Sequence, residues 1–487
     1  MGCNVLVTLR SKLVYYVFMC FDFDPEENKI LIEKYINKLL KGDYVSVERE
    51  IYKRCEEAAA EYIKEILFEV MNSEKMGGIK KILSTKYDYP NVRKTEVTIT
   101  LGKGNRIKVP SWYGQKGANR RGRPKKGPNG TGVHLMLKYW GFQSKYSPTY
   151  IEHIAREGSS SQSYELATEN LKSQGYGICS KTVDLITHKV GDISIENRSL
   201  ISVNTSETLA GKRVLLAIDG GRVRTRKTKK GRYKKNQKRA RYNTDWKETK
   251  VFVFCELNDK GKKLKGSKSL YDATMGKADE AFSLFINQAK AVQLSDAKEI
   301  IMTGDGASWI WERYKKMATE LNIVSKTTEV LDWYHACQHL NVLSEAIKKT
   351  EFEKKSLYNE IKDILYKGDI ELLEKAVSKH MSSVKRISKE NRKIIKRELC
   401  YFRSNKSRIQ YQEYEKLNKP RGSGVVESAV RRIVNQKIKS PGIFWKIQNV
   451  EKMLHLRCVL LSGRWKTLVR NIVKFSRFTL EPMMLCN

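Results

Sequence analysis

The sequence predicts an α/β protein, and three observations carry the prediction. Between Lys212 and Asp332, short apolar runs of strand character alternate with helix-patterned stretches. Two of those runs end in an aspartate beside glycine, Asp219 and Asp305. The chain is also long enough for two to four domains.

Upstream of this block, from about Asp24 to Asn72, the apolar residues Ile30, Ile36, Leu39, Leu40, Ile63, Ile66, Leu67 and Val70 recur at helical spacing among charges. Residues 1–92 are therefore expected to be an N-terminal helical region. "EVTITLGKGNRIKVPSWYG" alternates apolar and polar residues about Gly102-Lys103-Gly104-Asn105, which predicts a β-hairpin. With the basic stretch "KGANRRGRPKKGPNG" it fills 93–146. Arg121, Arg123 and Lys125 stand there on glycine- and proline-bearing backbone that has the shape of a minor-groove hook. A solvated basic loop is the other reading, and either would hold phosphates.

Residues 147–195 contain three helical patches. The Ser180 start signal and the Val183/Ile186 apolar face suit a helix-turn-helix whose last helix, with Lys181 in its first turn, meets DNA. A helical hairpin packed on its neighbours is the alternative.

In the middle of the chain the order is β-β-β-α-β-α-β-α. "GKRVLLAIDGGRV" is a buried-strand run ending at Asp219, and "KETKVFVFCELNDKGKKL" is a second strand that turns at Asn258–Gly261. A third strand follows near Lys268–Ala273, then a helix over Lys277–Gln293, a strand over Lys298–Thr303 with Asp305 at its end, a helix over Trp309–Leu321, and a strand over Thr327–Leu331 with Asp332 at its end. Three antiparallel strands, followed by parallel strands laid beside the first through right-handed crossovers, make a ribonuclease-H-like sheet. Its first and fourth strands are neighbours roughly 5 Å apart, so Asp219 and Asp305 are expected side by side. Gly304 and Gly306 let the backbone turn sharply or a large group come close, although an ordinary aspartate helix cap would also account for "TGDGA".

Charge narrows the partner. The 487 residues carry 93 Lys+Arg against 54 Asp+Glu, a formal charge of +39, which points to a polyanion and first to nucleic acid. No apolar stretch is long enough to span a membrane, so no membrane partner is expected. Nine cysteines without a CxxC pair argue against a disulfide frame and a zinc knuckle and for a reducing, cytoplasmic setting. Directly after Asp219, more than half of the residues from Arg222 to Arg241 are Lys or Arg and none is acidic. Arg222, Arg224, Arg226 and Lys227 open this run, which reads as a flexible phosphate clamp between two strands.

Two carboxylates held together need a partner, and paired Mg²⁺ ions, with Mn²⁺ as a substitute, supply one about 3.5–4 Å apart. A third carboxylate is then expected from a later helix. "PRGSGVVESAVRRIVNQKIKSPGIFW" offers Glu427 one turn into a helix, with Arg431 at i+4 and Asn435 at i+8. An exposed Glu–Arg helix pair is the plainer reading of the same residues.

Taken in order, "AIDGGRVRTR", "TGDGASWIW", "LDWYHACQHL" and "GSGVVESAVRRIVN" resemble the motifs of bacterial insertion-sequence transposases of the DDE type, in the Mutator-like branch. The resemblance covers roughly Ser147 to Trp465. It implies a ribonuclease-H-like core whose first part spans 205–342, a helical insertion over 343–418, a core return with the glutamate helix over 419–470, and a tail over 471–487. It implies a catalytic and metal-binding triad of Asp219, Asp305 and Glu427. Asp332 is the rival for the middle place, but its strand lies one position further from Asp219. Asp332-Trp333-Tyr334-His335 resembles the C/D-x-x-H signature of these enzymes, which gives Asp332 and His335 accessory roles; Arg431 would neutralise Glu427 or touch phosphate. The implied activity is metal-dependent cleavage at transposon ends, followed by strand transfer into target DNA by a homodimer or larger assembly on double-stranded DNA. A non-transposing nuclease with the same core, or an inactive DNA-binding regulator, are the alternatives.

His335, Cys337 and His339 have partial zinc spacing but no remote partner is evident, and they read as part of a packed or phosphate-facing helix. Trp309, Trp311, Trp333 and Trp445 read as core.

Overall fold

The computed structural model describes residues 25–116, 132–198, 208–229, 242–384, 386–422, 424–440 and 444–480. Arg121, Arg123 and Lys125, and the basic run from 230 to 241, lie outside the described residues. The chain divides into two compact units, one of residues 1–157, 168–186 and 469–487, the other of 158–167 and 187–468. No helix among the described residues is long and apolar enough to cross a membrane.

The first unit opens with helices Pro25–Leu40, Tyr44–Asn72 and Glu74–Lys86. The Asp43 side chain caps the second by accepting from the Ser46 N–H, and Ser73 caps the third through the Met76 N–H. The expected hairpin is β1 (Asn91–Thr100) against β2 (Arg106–Gln115), and a third strand, β3 (Gly132–His134), adds to β2. Three residues are too few to show alternation, so β3 left no mark on the sequence. Val97, Ile99, Ile107 and Val109 are buried beneath Ala60 and Leu137. Among the described side chains of the first helix none is fully buried: Ile30 is 67 % and Leu40 80 % exposed.

Helices Pro148–Ser160, Tyr164–Ser173 and Ser180–Glu196 follow, with Lys181 exposed on the last.

The second unit is built on a five-stranded mixed sheet of β4 (Arg213–Thr228), β5 (Tyr242–Leu257), β6 (Leu270–Thr274), β7 (Glu299–Gly304) and β8 (Thr327–Leu331), in the order β6-β5-β4-β7-β8. β6, β5 and β4 are antiparallel, whereas β4, β7 and β8 are parallel. Alternation along β4 sorts its side chains between two cores. Val214, Leu216 and Ile218 face helices Ala278–Ala291 and Ser308–Glu320, against Phe285, Trp311 and Tyr314. Leu215, Ala217 and Val223 face the other way, against Val426, Ala429 and Val430 of helix Gly424–Val430 and Met453 and Leu454 of helix Ile447–Leu461. Each such side chain contributes about 1.5–3 kcal/mol by leaving water.

Between β8 and the Glu427 helix the chain is helical throughout its named elements: Trp333–Ile347, Glu351–Lys367, Ile370–Ser382, Lys389–Ser404 and Tyr411–Lys416, with short 3₁₀ turns. Leu357, Ile361, Leu373, Ile395 and Phe402 extend the second of the two cores into this segment.

One expectation fails here. β4 does not end at Asp219 but runs nine residues further, to Thr228, paired with β5 from Val251 back to Tyr242. The clamp was read as a loop because its charge is so high. Its first half obeys a period of two instead: Val223 and Thr225 are buried while Arg222, Arg224 and Arg226 are exposed. The arginines share one face with Trp246 and Glu248 of β5, so a charge-rich segment still satisfies its backbone in a ladder.

Candidate active site

Register places the aspartates. Ile218 pairs with Gly304 across β4 and β7, and Gly304 with Leu331 across β7 and β8. The next residue on each strand is Asp219, Asp305 and Asp332, so three carboxylates stand in a row along adjacent parallel strands, with roughly 5 Å between strands. The Asp332 N–H donates to the Gly304 carbonyl at 3.0 Å, which ties the end of the row to the sheet.

Each carboxylate has a local backbone partner. Asp219 accepts from the Gly220 N–H at 2.6 Å, Asp305 from the Ala307 N–H at 3.1 Å, and Asp332, as the cap of helix Trp333–Ile347, from the His335 N–H at 2.7 Å. The Trp311 indole N–H holds the Asp305 carbonyl at 3.2 Å. Burial pushes the Asp219 carboxyl up to about 6, against the pull of the Gly220 N–H; the charge of Asp305 adds to the rise, His335 offsets it, and Asp332 adds again. Asp219 and Asp305 are half-buried and Asp332 is buried.

Glu427 stands apart from this row. Asp219 follows Leu215 and Ala217 in phase along β4, so it belongs to the face on which helix Gly424–Val430 packs. Gly221, next in phase, has Val430 Cγ1 3.3 Å and Val434 Cγ1 3.7 Å from where a β-carbon would stand. The helix thus lies on β4 beside Asp219, while Glu427 itself is exposed. At Arg431 the helix passes into a π turn, Arg431–Asn435, so Asn435 does not keep the α-helical i+8 register with Glu427. Arg431 is exposed. The widened turn frees carbonyls, and the buried Arg457 guanidinium takes them, its Nε donating to Arg432 O at 3.1 Å and to Ile433 O at 3.0 Å.

The donor set fits a divalent cation in part. Asp219 and Asp305 are neighbouring carboxylates, and the charges acting most strongly on Asp219 are two further aspartates and a histidine. A hard cation with oxygen ligands would relieve that repulsion. Among the described residues, however, no three His, Cys, Asp or Glu side chains converge closely enough to hold a metal ion. The side chains stand as an unfinished set, lacking the convergence of a third carboxylate.

His335 is half-buried on the first turn of its helix. His339, one turn on, is engaged elsewhere: its Nδ1 bonds the buried Glu398 carboxylate and its ring stacks on Tyr401 at 3.7 Å. Burial raises the Cys337 thiol. Of the tryptophans, Trp311 and Trp445 are buried, whereas Trp309 and Trp333 are half-buried. Lys250 sits over the Trp309 ring at 5.6 Å and Arg421 over Trp333 at 5.8 Å.

Sequence reasoning missed Tyr401 and Glu398, both on helix Lys389–Ser404. The signal was there for Glu398: it occupies the buried stripe Ile395, Glu398, Phe402, where a helical wheel calls for an apolar residue. Tyr401 gave no such sign. The basic residues Arg222, Arg224 and Arg226 line one face of the β4–β5 ribbon, with Arg224 4.8 Å from the Phe444 ring and Arg226 5.7 Å from that of Tyr242.

Neither a family model nor a curated protein matches the chain. Among solved structures it is similar to one described as the Drosophila P element transposase strand transfer complex, at 12% identity over 69% of this chain and 83% of that one. The TM-score of 0.25 is too low for this likeness to bear on fold or function.

Proposed function

We propose that the chain is a DDE-type transposase with a ribonuclease-H-like core, cutting DNA at transposon ends and joining the freed 3′ ends to target DNA. The observation that carries the reading is the row of Asp219 and Asp305 on adjacent parallel strands, with the helix of Glu427 packed on the same face of β4 beside Asp219. The strand order β6-β5-β4-β7-β8 is the one that such a core requires. Asp219 and Asp305 would hold the cations and orient the scissile phosphate, and Glu427 would complete the set once DNA is bound. The chemistry that two Mg²⁺ ions supply when bound is polarisation of the phosphate and stabilisation of charge on the attacking and leaving oxygens. Asp332 holds the His335 backbone and so fixes where that imidazole stands relative to the phosphate. Arg222, Arg224, Arg226 and Lys227 would bind flanking phosphates, and Lys181 would contact the end sequence from the last of the three helices at 148–196.

A nuclease reading has its own support, because Asp332 continues the carboxylate row after β8 while Glu427 is exposed. One experiment separates the two. Duplexes made from the DNA flanking the coding region are incubated with the protein and Mg²⁺, and nicks and joined products are both scored. Joining of precut ends by the wild type is expected, with Asp219→Asn, Asp305→Asn and Glu427→Gln inactive in both steps and still binding ends. Nicking without joining, and full activity of Glu427→Gln, would leave only the nuclease.

A further inference from the structure

Beside the Gly306 turn lies an open groove of roughly 580 Å³, walled on its far side by helix Lys389–Ser404. Lys393, Lys396 and Arg397 line it, with Cys400 and Tyr401 further along. Both lysines are exposed. Arg397 is held by its neighbour Glu398 at 2.6 Å, and Glu398 in turn by His339. The Tyr401 ring packs directly on Gly306, the residue after Asp305. Its hydroxyl is buried and has no hydrogen-bond partner. The groove's volume is on the order of a nucleotide or two of one strand.

We propose that this groove guides a single DNA strand to the aspartates, its phosphates against Lys393, Lys396 and Arg397. The inference rests on the aspartate site proposed above and assigns the helical segment a role in delivering substrate to it. Charge selects the phosphate backbone.

Cys400 is exposed inside the groove and reports on its occupancy. The full-length protein in EDTA is treated with iodoacetamide, with and without a saturating single-stranded oligonucleotide, and alkylation of Cys400 is followed by peptide mass spectrometry. The oligonucleotide should slow it severalfold. Lys393→Ala with Lys396→Ala should abolish this protection and flatten the slope of log affinity against log salt by about 1.4, the share of two single-strand phosphate contacts. The exposed pair Lys262→Ala with Lys263→Ala should leave the protection intact. Unprotected Cys400 in the wild type, or protection that survives loss of both groove lysines, overturns the inference. A protein that protects Cys400 yet never nicks DNA would remove the enzymatic reading and leave the groove standing.

Discussion

Gly306 lies under the ring of Tyr401: a β-carbon at that glycine would stand 2.1 Å from Tyr401 Cε2 and 2.6 Å from Cζ. No side chain fits there unless the ring moves. The turn that carries Asp305 is therefore keyed to a helix about a hundred residues further along the chain.

Gly306→Ala should accordingly cost about 1–3 kcal/mol, as overpacking does, and displace Tyr401 from the aspartates. Equilibrium urea unfolding measures the loss. Combining it with Tyr401→Ala should recover much of it, because the clash partner is gone; an additive double variant would mean that the two do not meet.

Asp219 gives a pH signature that needs no substrate. With its carboxyl raised from 3.8 to about 6, the folded protein keeps a proton between pH 4 and 6 that the unfolded chain has released. Stability in EDTA should therefore fall as pH rises through that window, by on the order of 2 kcal/mol from this group after allowing for its partial exposure. Asp219→Asn should lose that part of the pH dependence and be the more stable protein at pH 7.5, as read from denaturation midpoints at several pH values.

If the same carboxylates take divalent ions, 10 mM Mg²⁺ in place of EDTA should raise the wild-type melting temperature at pH 7.5, at a concentration about a hundredfold above the dissociation constant contributing about 2.7 kcal/mol. Asp219→Asn with Asp305→Asn should show no such rise. Differential scanning calorimetry of both proteins in the two buffers decides it.

The second unit also depends on a buried ion cluster remote from the aspartate row. Arg198 bonds Asp272, and donates to Glu451 at 2.9 Å and to the Ala273 carbonyl at 2.8 Å. Burial alone would raise the Asp272 carboxyl; the Arg198 charge outweighs it and holds it well below the carboxylate range. Arg198→Met strands Asp272 in the interior and should cost about 3–5 kcal/mol. The wild type gains from this carboxylate above pH 4 and loses that gain as acid protonates it, so the gap between the two proteins should narrow toward low pH.

Much of the second unit could be read from the chain because its strands bury one or both faces and its turns carry Gly, Asn and Asp. β8 falls on Thr327–Leu331 as expected, and β7 and the helices after β6 and β7 fall within two residues of expectation. The strand extension past Asp219 was masked by composition: charge density spoke for a loop, while the alternation of Val223 and Thr225 with arginines spoke for a ladder, and packing decided. Adjacency of Asp219 and Asp305 followed from connection rules, since crossover handedness leaves few orders open. Where Glu427 points did not, because an exposed carboxylate on a short helix takes its direction from rotamer and neighbours, and the π turn at Arg431–Asn435 has no sequence mark. Tyr401 was invisible for a related reason, since a phenol on a helix announces no partner a hundred residues away.

The unbroken course of β4 has a further consequence. Asp219 and Lys227 sit in phase on one strand without a hinge between them, eight residues apart at about 3.3 Å each, so they are separated by roughly 26 Å. That strand works as a ruler. If Asp219 cuts DNA as proposed, a duplex gripped at Lys227 would present to it a phosphodiester some eight base steps away, and lengthening the strand by two residues, which preserves its facing, should shift the cut by about two.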